Sequence, residues 1–169
     1  MDNKILTSLR NPSDYTEKFT EKVKNLSDSI SASIGLNLHH DKDMNYRASQ
    51  RLCLFLDENY SISNKHSIHT KYEIVFLISS KANFFTYVCL QKREPHPNEN
   101  HNTPYWELMR EEKIKPDIYR YIRVVCEKII KQGYELICGD VLQKKIEGYL
   151  TEIDGDPATI FEIFFAELY

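Results

Sequence analysis

The sequence predicts an α+β fold in which an antiparallel β-sheet is packed by three main helices. The sheet is centred on residues 71–91, where two apolar runs of about eight residues flank Ser80-Lys81-Ala82-Asn83. Both runs are rich in β-branched and aromatic residues and are apolar on both faces, as expected of a hairpin inside a covered sheet. Apolar residues at helical spacing predict the helices over 14–34, 116–132 and 157–168.

The first helix follows a short leader that ends at Asn11-Pro12-Ser13. Asp14 is expected to begin it, with Glu17 completing a capping box, and Gly35 is expected to follow its last turn. Its apolar stripe consists of Tyr15, Phe19, Val23, Leu26, Ile30 and Ile34. Residues at this spacing lie on one face, so the helix should pack on the sheet.

Between this helix and the hairpin, the polar segment 37–46 is interpreted as a loop. Arg51–Asp57 alternates leucines with Cys53 and Phe55, which favours a strand. The helical alternative over 44–56 stays open, because short apolar runs fit both periods.

After the hairpin, 92–104 contains three Pro, three Asn and two His and is interpreted as a long loop. Residues 105–113 are predicted to form one or two helical turns. Pro116 suits the first position of the second main helix, and Gly133 suits its end.

The third main helix is predicted from Asp156 as the N-cap and Pro157 as the first helical residue. Its apolar face contains Ile160, Phe161, Phe164, Phe165 and Leu168. Burial of this face should dock the segment, so we expect Phe161→Ala and Phe164→Ala each to cost ~3–5 kcal/mol.

The charge is unevenly distributed. The chain of 169 residues has a net charge of −3, with +2 on residues 1–92 and −5 on residues 93–169, and no Lys or Arg lies in 147–169. No basic face is evident, so the sequence argues against nucleic-acid binding. It contains neither a signal peptide nor a run of ~20 apolar residues, so a cytoplasmic protein of one domain, 1–169, with no membrane partner is expected.

No motif indicates a particular catalytic chemistry. The five glycines are dispersed, which argues against a glycine-rich phosphate loop. Four cysteines, Cys53, Cys89, Cys126 and Cys138, lie in apolar segments and are predicted to be buried thiols. The weaker alternative is a metal-binding or histidine-dependent enzyme that uses His66, His69, His96 and His101. Loop histidines are usually solvated, so neither a metal nor a cofactor is expected.

These observations favour a non-enzymatic protein-binding module over an enzyme. Trp106 and Tyr105 follow the long loop and are candidate anchors for a partner, although Trp106 could instead plug the core. Glu152, Asp154 and Asp156 form an acidic group that would attract a basic protein.

In size, charge and expected fold the chain resembles bacterial immunity proteins, which neutralise a cognate and often basic nuclease toxin. The resemblance implies a toxin inhibitor whose carboxylates mimic phosphates. A small-molecule sensor with a cavity between sheet and helices is the other alternative.

Overall fold

The computed structural model of the chain describes residues 3–43, 48–64, 68–94, 103–151 and 155–166. Within these ranges there are four α helices and eight strands. The helices are α1 Asn3–Ser8, α2 Glu17–Ile34, α3 Pro116–Lys131 and α4 Ile160–Phe164. The strands are β1 His39–Asp41, β2 Ser49–Leu56, β3 Tyr72–Ser79, β4 Phe84–Arg93, β5 Tyr105–Leu108, β6 Glu135–Leu136, β7 Lys145–Leu150 and β8 Pro157–Thr159.

The predicted α+β architecture with a central hairpin is confirmed. Strands β1 to β5 lie side by side in chain order and are all antiparallel, and β6 pairs in parallel with the start of β4. In the hairpin, Tyr72 is paired with Gln91 and Ile78 with Phe85. Strands β7 and β8 form a separate two-stranded sheet.

Each face of the main sheet is covered by a different set of elements. The first face carries Tyr72, Ile74, Phe76 and Ile78, which pack with α2 and α3 in one apolar cluster. The second face carries Val75, Leu77 and Phe84, which pack with residues of α1, α4, β7 and β8 in another. Successive strand residues point to opposite faces, so the continuous apolar runs of β3 and β4 supply both clusters.

Two of the predicted helices have nearly the predicted bounds. Helix α3 begins at Pro116 and ends at Lys131, one residue before the prediction. Helix α2 begins at Glu17 because Thr16 caps it, its side chain accepting the Phe19 N–H at 3.4 Å. Asp14 lies outside the helix and accepts the Thr16 N–H at 2.9 Å.

The predictions for the shorter segments were partly wrong. The strand interpretation of the region before residue 57 is confirmed by β2, which pairs along its whole length with β3. The loop predicted over 37–46 contains β1, and the leader contains α1. The helical turns predicted over 105–113 are wrong for 105–108, because these residues pair with β4 as β5 and only Glu111–Lys113 forms a 3-10 helix.

The predicted helix over 157–168 begins later than expected and ends earlier, at Phe164, and Leu168 lies outside the described residues. Residues Pro157–Thr159 form β8, which pairs with β7, and α4 spans Ile160–Phe164. A capping box explains the start: Thr159 Oγ1 accepts the Glu162 N–H at 3.2 Å, and the Glu162 carboxylate accepts the Thr159 N–H at 2.7 Å. The docking of this segment was correctly expected, since Ile160, Ile163 and Phe164 are buried.

Among the described helices, none combines the length and the apolar character needed to cross a membrane.

Candidate functional site

Strand β5 is the most exposed strand of the main sheet. All four of its residues are exposed, with 36% exposure for Tyr105, 40% for Trp106 and 62% for Leu108. Within the described residues it is the last strand in the order of the main sheet, next to β4. The predicted anchors Tyr105 and Trp106 both lie on this edge, and Trp106 does not plug the core.

The pairing of β5 with β4 separates the two aromatic side chains. Trp106 is opposite Lys92 and Leu108 is opposite Leu90, which places both on the second face of the sheet. Tyr105 is opposite Arg93 and belongs to the first face.

On the second face, two exposed residues of β5 lie beside two half-buried residues of β4. Trp106 and Leu108 are the exposed pair, and Val88 and Leu90 pack at the margin of the second apolar cluster. We call these four residues the β5 patch. It is a group of apolar side chains at the sheet edge that the described part of the chain leaves partly uncovered.

Of the acidic group predicted for a basic partner, the structure describes Asp156 alone. Asp156 precedes β8, has a side chain that is 71% exposed, and lies 3.8 Å from Lys145 Nζ. Glu152 and Asp154 lie outside the described residues. Ile146 and Ala158 of the same two strands pack on the second face, so Asp156 and Trp106 belong to the same side of the sheet.

The described histidines do not converge on a metal site. No group of three or more His, Cys, Asp or Glu side chains that could hold a metal ion occurs in the described ranges. His69 is exposed, and His66, His96 and His101 lie outside the described residues. His40 is hydrogen-bonded to Gln50 at 2.8 Å, which is a structural contact between β1 and β2.

The described thiols are poor nucleophiles. Cys53, Cys89 and Cys126 are buried as predicted, and burial raises the pKa of Cys89 and of Cys126 to about 12. Cys138 is exposed, contrary to the prediction, and lies after β6 at the start of the 3-10 helix Gly139–Val141. Burial raises its pKa as well, so Cys138 is not an activated thiol.

The structure forms a cavity at the opposite side of β5, whose basic lining was not predicted from the sequence. It has a volume of about 490 Å³ and lies between β3, β4, β5 and the start of α3. Four basic side chains and one acidic side chain line it: Arg93, Arg110, Lys113, Lys115 and Glu107. Arg93 lies in β4, Arg110 and Lys113 lie in and just before the 3-10 helix Glu111–Lys113, and Lys115 precedes α3.

Comparison of the chain with models of known protein families, with curated proteins and with solved structures finds no match. The fold and the surface therefore define only an architectural class. The chain is an α+β protein in which the exposed strand β5 contains two aromatic residues, Tyr105 and Trp106.

Proposed function

We propose that this protein is a protein-binding module whose β5 patch contacts a basic partner protein. The observation that supports the proposal is the side-by-side exposure of Trp106 and Leu108 on the second face, where Leu108 is opposite Leu90 and Trp106 is opposite Lys92. Aromatic residues are enriched at interface hot spots, where a buried ring and its apolar surroundings supply most of the binding energy.

Charge supports the choice of a basic partner. Residues 147–169 contain no Lys or Arg, and exposed Asp156 belongs to the same side of the sheet as Trp106. Carboxylates at the rim of an interface accelerate association with a cationic protein and disfavour anionic ones. The specific form of the proposal is inhibition of a basic toxin, as in immunity proteins.

The single tryptophan makes the proposal testable at the residue that carries it. A photoreactive phenylalanine analogue at position 106 should crosslink the partner in host cells, and mass spectrometry should identify it. With purified partner, the emission of Trp106 should shift to shorter wavelength as the indole is buried.

Trp106→Ala should weaken binding about 30-fold or more, as expected for a hot-spot residue. Tyr15→Ala is the matched control, because Tyr15 is an aromatic residue exposed at 59% outside the main sheet. Affinity should also fall as salt is raised. Equal affinities of the two variants, or binding that salt does not change, would contradict the proposal.

The inhibitor form needs a separate assay. Expression of a toxic partner should kill cells that lack this protein or that contain the Trp106→Ala variant, and cells with the Tyr15→Ala variant should survive. A partner that binds through Trp106 but is not toxic would reject the inhibitor form and retain the binding module.

A further inference from the structure

The cavity on the first face has the dimensions of a small-molecule site. Its volume of about 490 Å³ falls within the roughly 300–1,000 Å³ typical of ligand pockets. Tyr72, Gln91 and Glu107 are neighbours across β3, β4 and β5, because Tyr72 is paired with Gln91 and Gln91 with Glu107. This row of polar side chains forms one wall on rigid strands.

The lining is cationic, although the whole chain has a net charge of −3. Arg93 forms an ion pair with Glu107, with Arg93 Nε 2.8 Å from the carboxylate. Among the described residues, no carboxylate forms an ion pair with Arg110, Lys113 or Lys115, which are three of the four cations in the lining.

Two nearby carboxylates, Glu111 and Glu58, do not line the cavity and contact other side chains. Glu111 accepts a hydrogen bond from the Tyr87 hydroxyl at 3.0 Å, and Glu58 lies 3.0 Å from Lys71 Nζ. Glu112 is exposed and does not line the cavity. The lining itself therefore has four basic side chains and one acidic side chain.

A chain of polar contacts holds one of the three cations at the cavity. The Gln91 amide donates to Tyr72 Oη at 3.2 Å, and the Tyr72 ring packs on Tyr60 with centroids 5.5 Å apart. Lys115 Nζ lies over the Tyr60 ring, 5.5 Å from its centroid. A hydrogen bond with Tyr60 raises the pKa of Lys115, so this amine stays charged.

Tyr60, whose ring contacts Lys115, has an unusual backbone conformation. Its φ of +57° lies in the left-handed region, and among described residues no other non-glycine has a positive φ. The Asp57 carboxylate holds the turn by accepting the N–H groups of Asn59 at 2.9 Å and Ser61 at 3.0 Å. Strained residues of this kind concentrate at binding and catalytic sites.

We infer that the cavity binds a phosphorylated small molecule. A carboxylate monoanion would compensate only one of the three cations, whereas a phosphate monoester has a charge of about −1.5 to −2 and three acceptor oxygens. Arg110 can bind two of these oxygens at once, and Lys113 and Lys115 can act as point charges. The first turn of α3 begins at Pro116, so its positive dipole end adds to the same field, and Asp117 in that turn offsets part of it.

The test is calorimetric titration of the full chain with inorganic phosphate and pyrophosphate at constant ionic strength. Pyrophosphate should bind with one site, and Arg110→Gln and Lys113→Gln should each weaken it about tenfold or more. Both side chains are exposed, so neither substitution should unfold the protein. Lys131→Gln is the control, because Lys131 is an exposed cation at the other end of α3.

Four outcomes would overturn the inference. They are absence of pyrophosphate binding, equal weakening by Lys131→Gln, tighter binding of citrate, and tighter binding of a single-stranded oligonucleotide. Citrate would assign the cavity to carboxylates, and the oligonucleotide would assign it to a nucleic-acid surface. Trp106→Ala should leave pyrophosphate affinity unchanged, so this inference and the proposed protein binding succeed or fail separately.

Discussion

Replacement of Phe164 by Ala tests whether the second face is a true core. Phe164 is 0% exposed, and its ring meets Phe84 edge to face with centroids 5.3 Å apart. Removal of a fully buried phenyl ring from a core of this kind costs about 3–5 kcal/mol, including the cavity that it leaves. For a chain of this length, that loss corresponds to a decrease in Tm of about 6–20 °C.

Phe161 provides the matched control in the same short helix. The sequence predicts equal costs for Phe161→Ala and Phe164→Ala, but Phe161 is only partly buried at the margin of the cluster. Because it removes less area from water, Phe161→Ala should cost about half as much or less. Thermal and urea denaturation followed by circular dichroism should show this order. A Tm decrease for Phe164→Ala below about one degree, or below that of Phe161→Ala, would refute the packing argument.

Two further predictions concern α4 and the thiols. Loss of the cap in Thr159→Ala should cost about 1 kcal/mol by urea denaturation at neutral pH. Hydrogen bonds from the Thr159 N–H and hydroxyl lower the pKa of Glu162 below its ordinary 4.5. The ionised Glu162 carboxylate therefore stabilises the folded protein, and this contribution is lost as the pH falls through the lowered pKa of Glu162. The difference in stability between the native protein and Glu162→Gln should therefore shrink in acid, and a constant difference would be inconsistent with the capping box. With a thiol reagent, exposed Cys138 should react in the native protein, whereas Cys89 and Cys126 should react only after unfolding. Equal reaction rates for the three thiols in the native protein would contradict the burial of Cys89 and Cys126.

The central hairpin and α3 could be predicted because several local signals agree there. In 71–91, β-branched content, run length and the intervening polar residues all indicate two strands. In α3, Pro116 at the start and the spacing of Ile118, Ile122 and Val125 indicate one helix with a buried stripe. Such agreement leaves few alternative structures for the same residues.

The short segments could not be predicted, because partners distant in sequence decide them. Tyr105–Leu108 is too short to distinguish a strand from a helical turn, and its pairing with β4 decides both its structure and which side Trp106 faces. At 157–168, the prediction gave Pro157 the role of helix start. The sequence does contain the correct signal, since Thr159 followed by Glu162 fits the capping-box pattern.

The cationic cavity was missed for a different physical reason. Residues 110–115 contain both Arg and Lys and two glutamates, so their net charge is small in the sequence. The fold separates the two signs, because the Glu111 carboxylate binds Tyr87 while Arg110, Lys113 and Lys115 face the cavity. A charge count along the chain cannot detect a separation that exists only in three dimensions.

The pairing of β5 also explains how one strand of four residues can serve two surfaces. Trp106 and Glu107 are neighbours in sequence and lie on opposite faces of the sheet, one in the β5 patch and the other in the cavity wall. A shift of the pairing by one residue would exchange them, placing the indole among the cations and the carboxylate in the apolar patch. Both surfaces thus depend on the same alignment of Leu108 with Leu90. Substitutions that alter this alignment should damage both surfaces together, whereas substitutions of single side chains should damage only one.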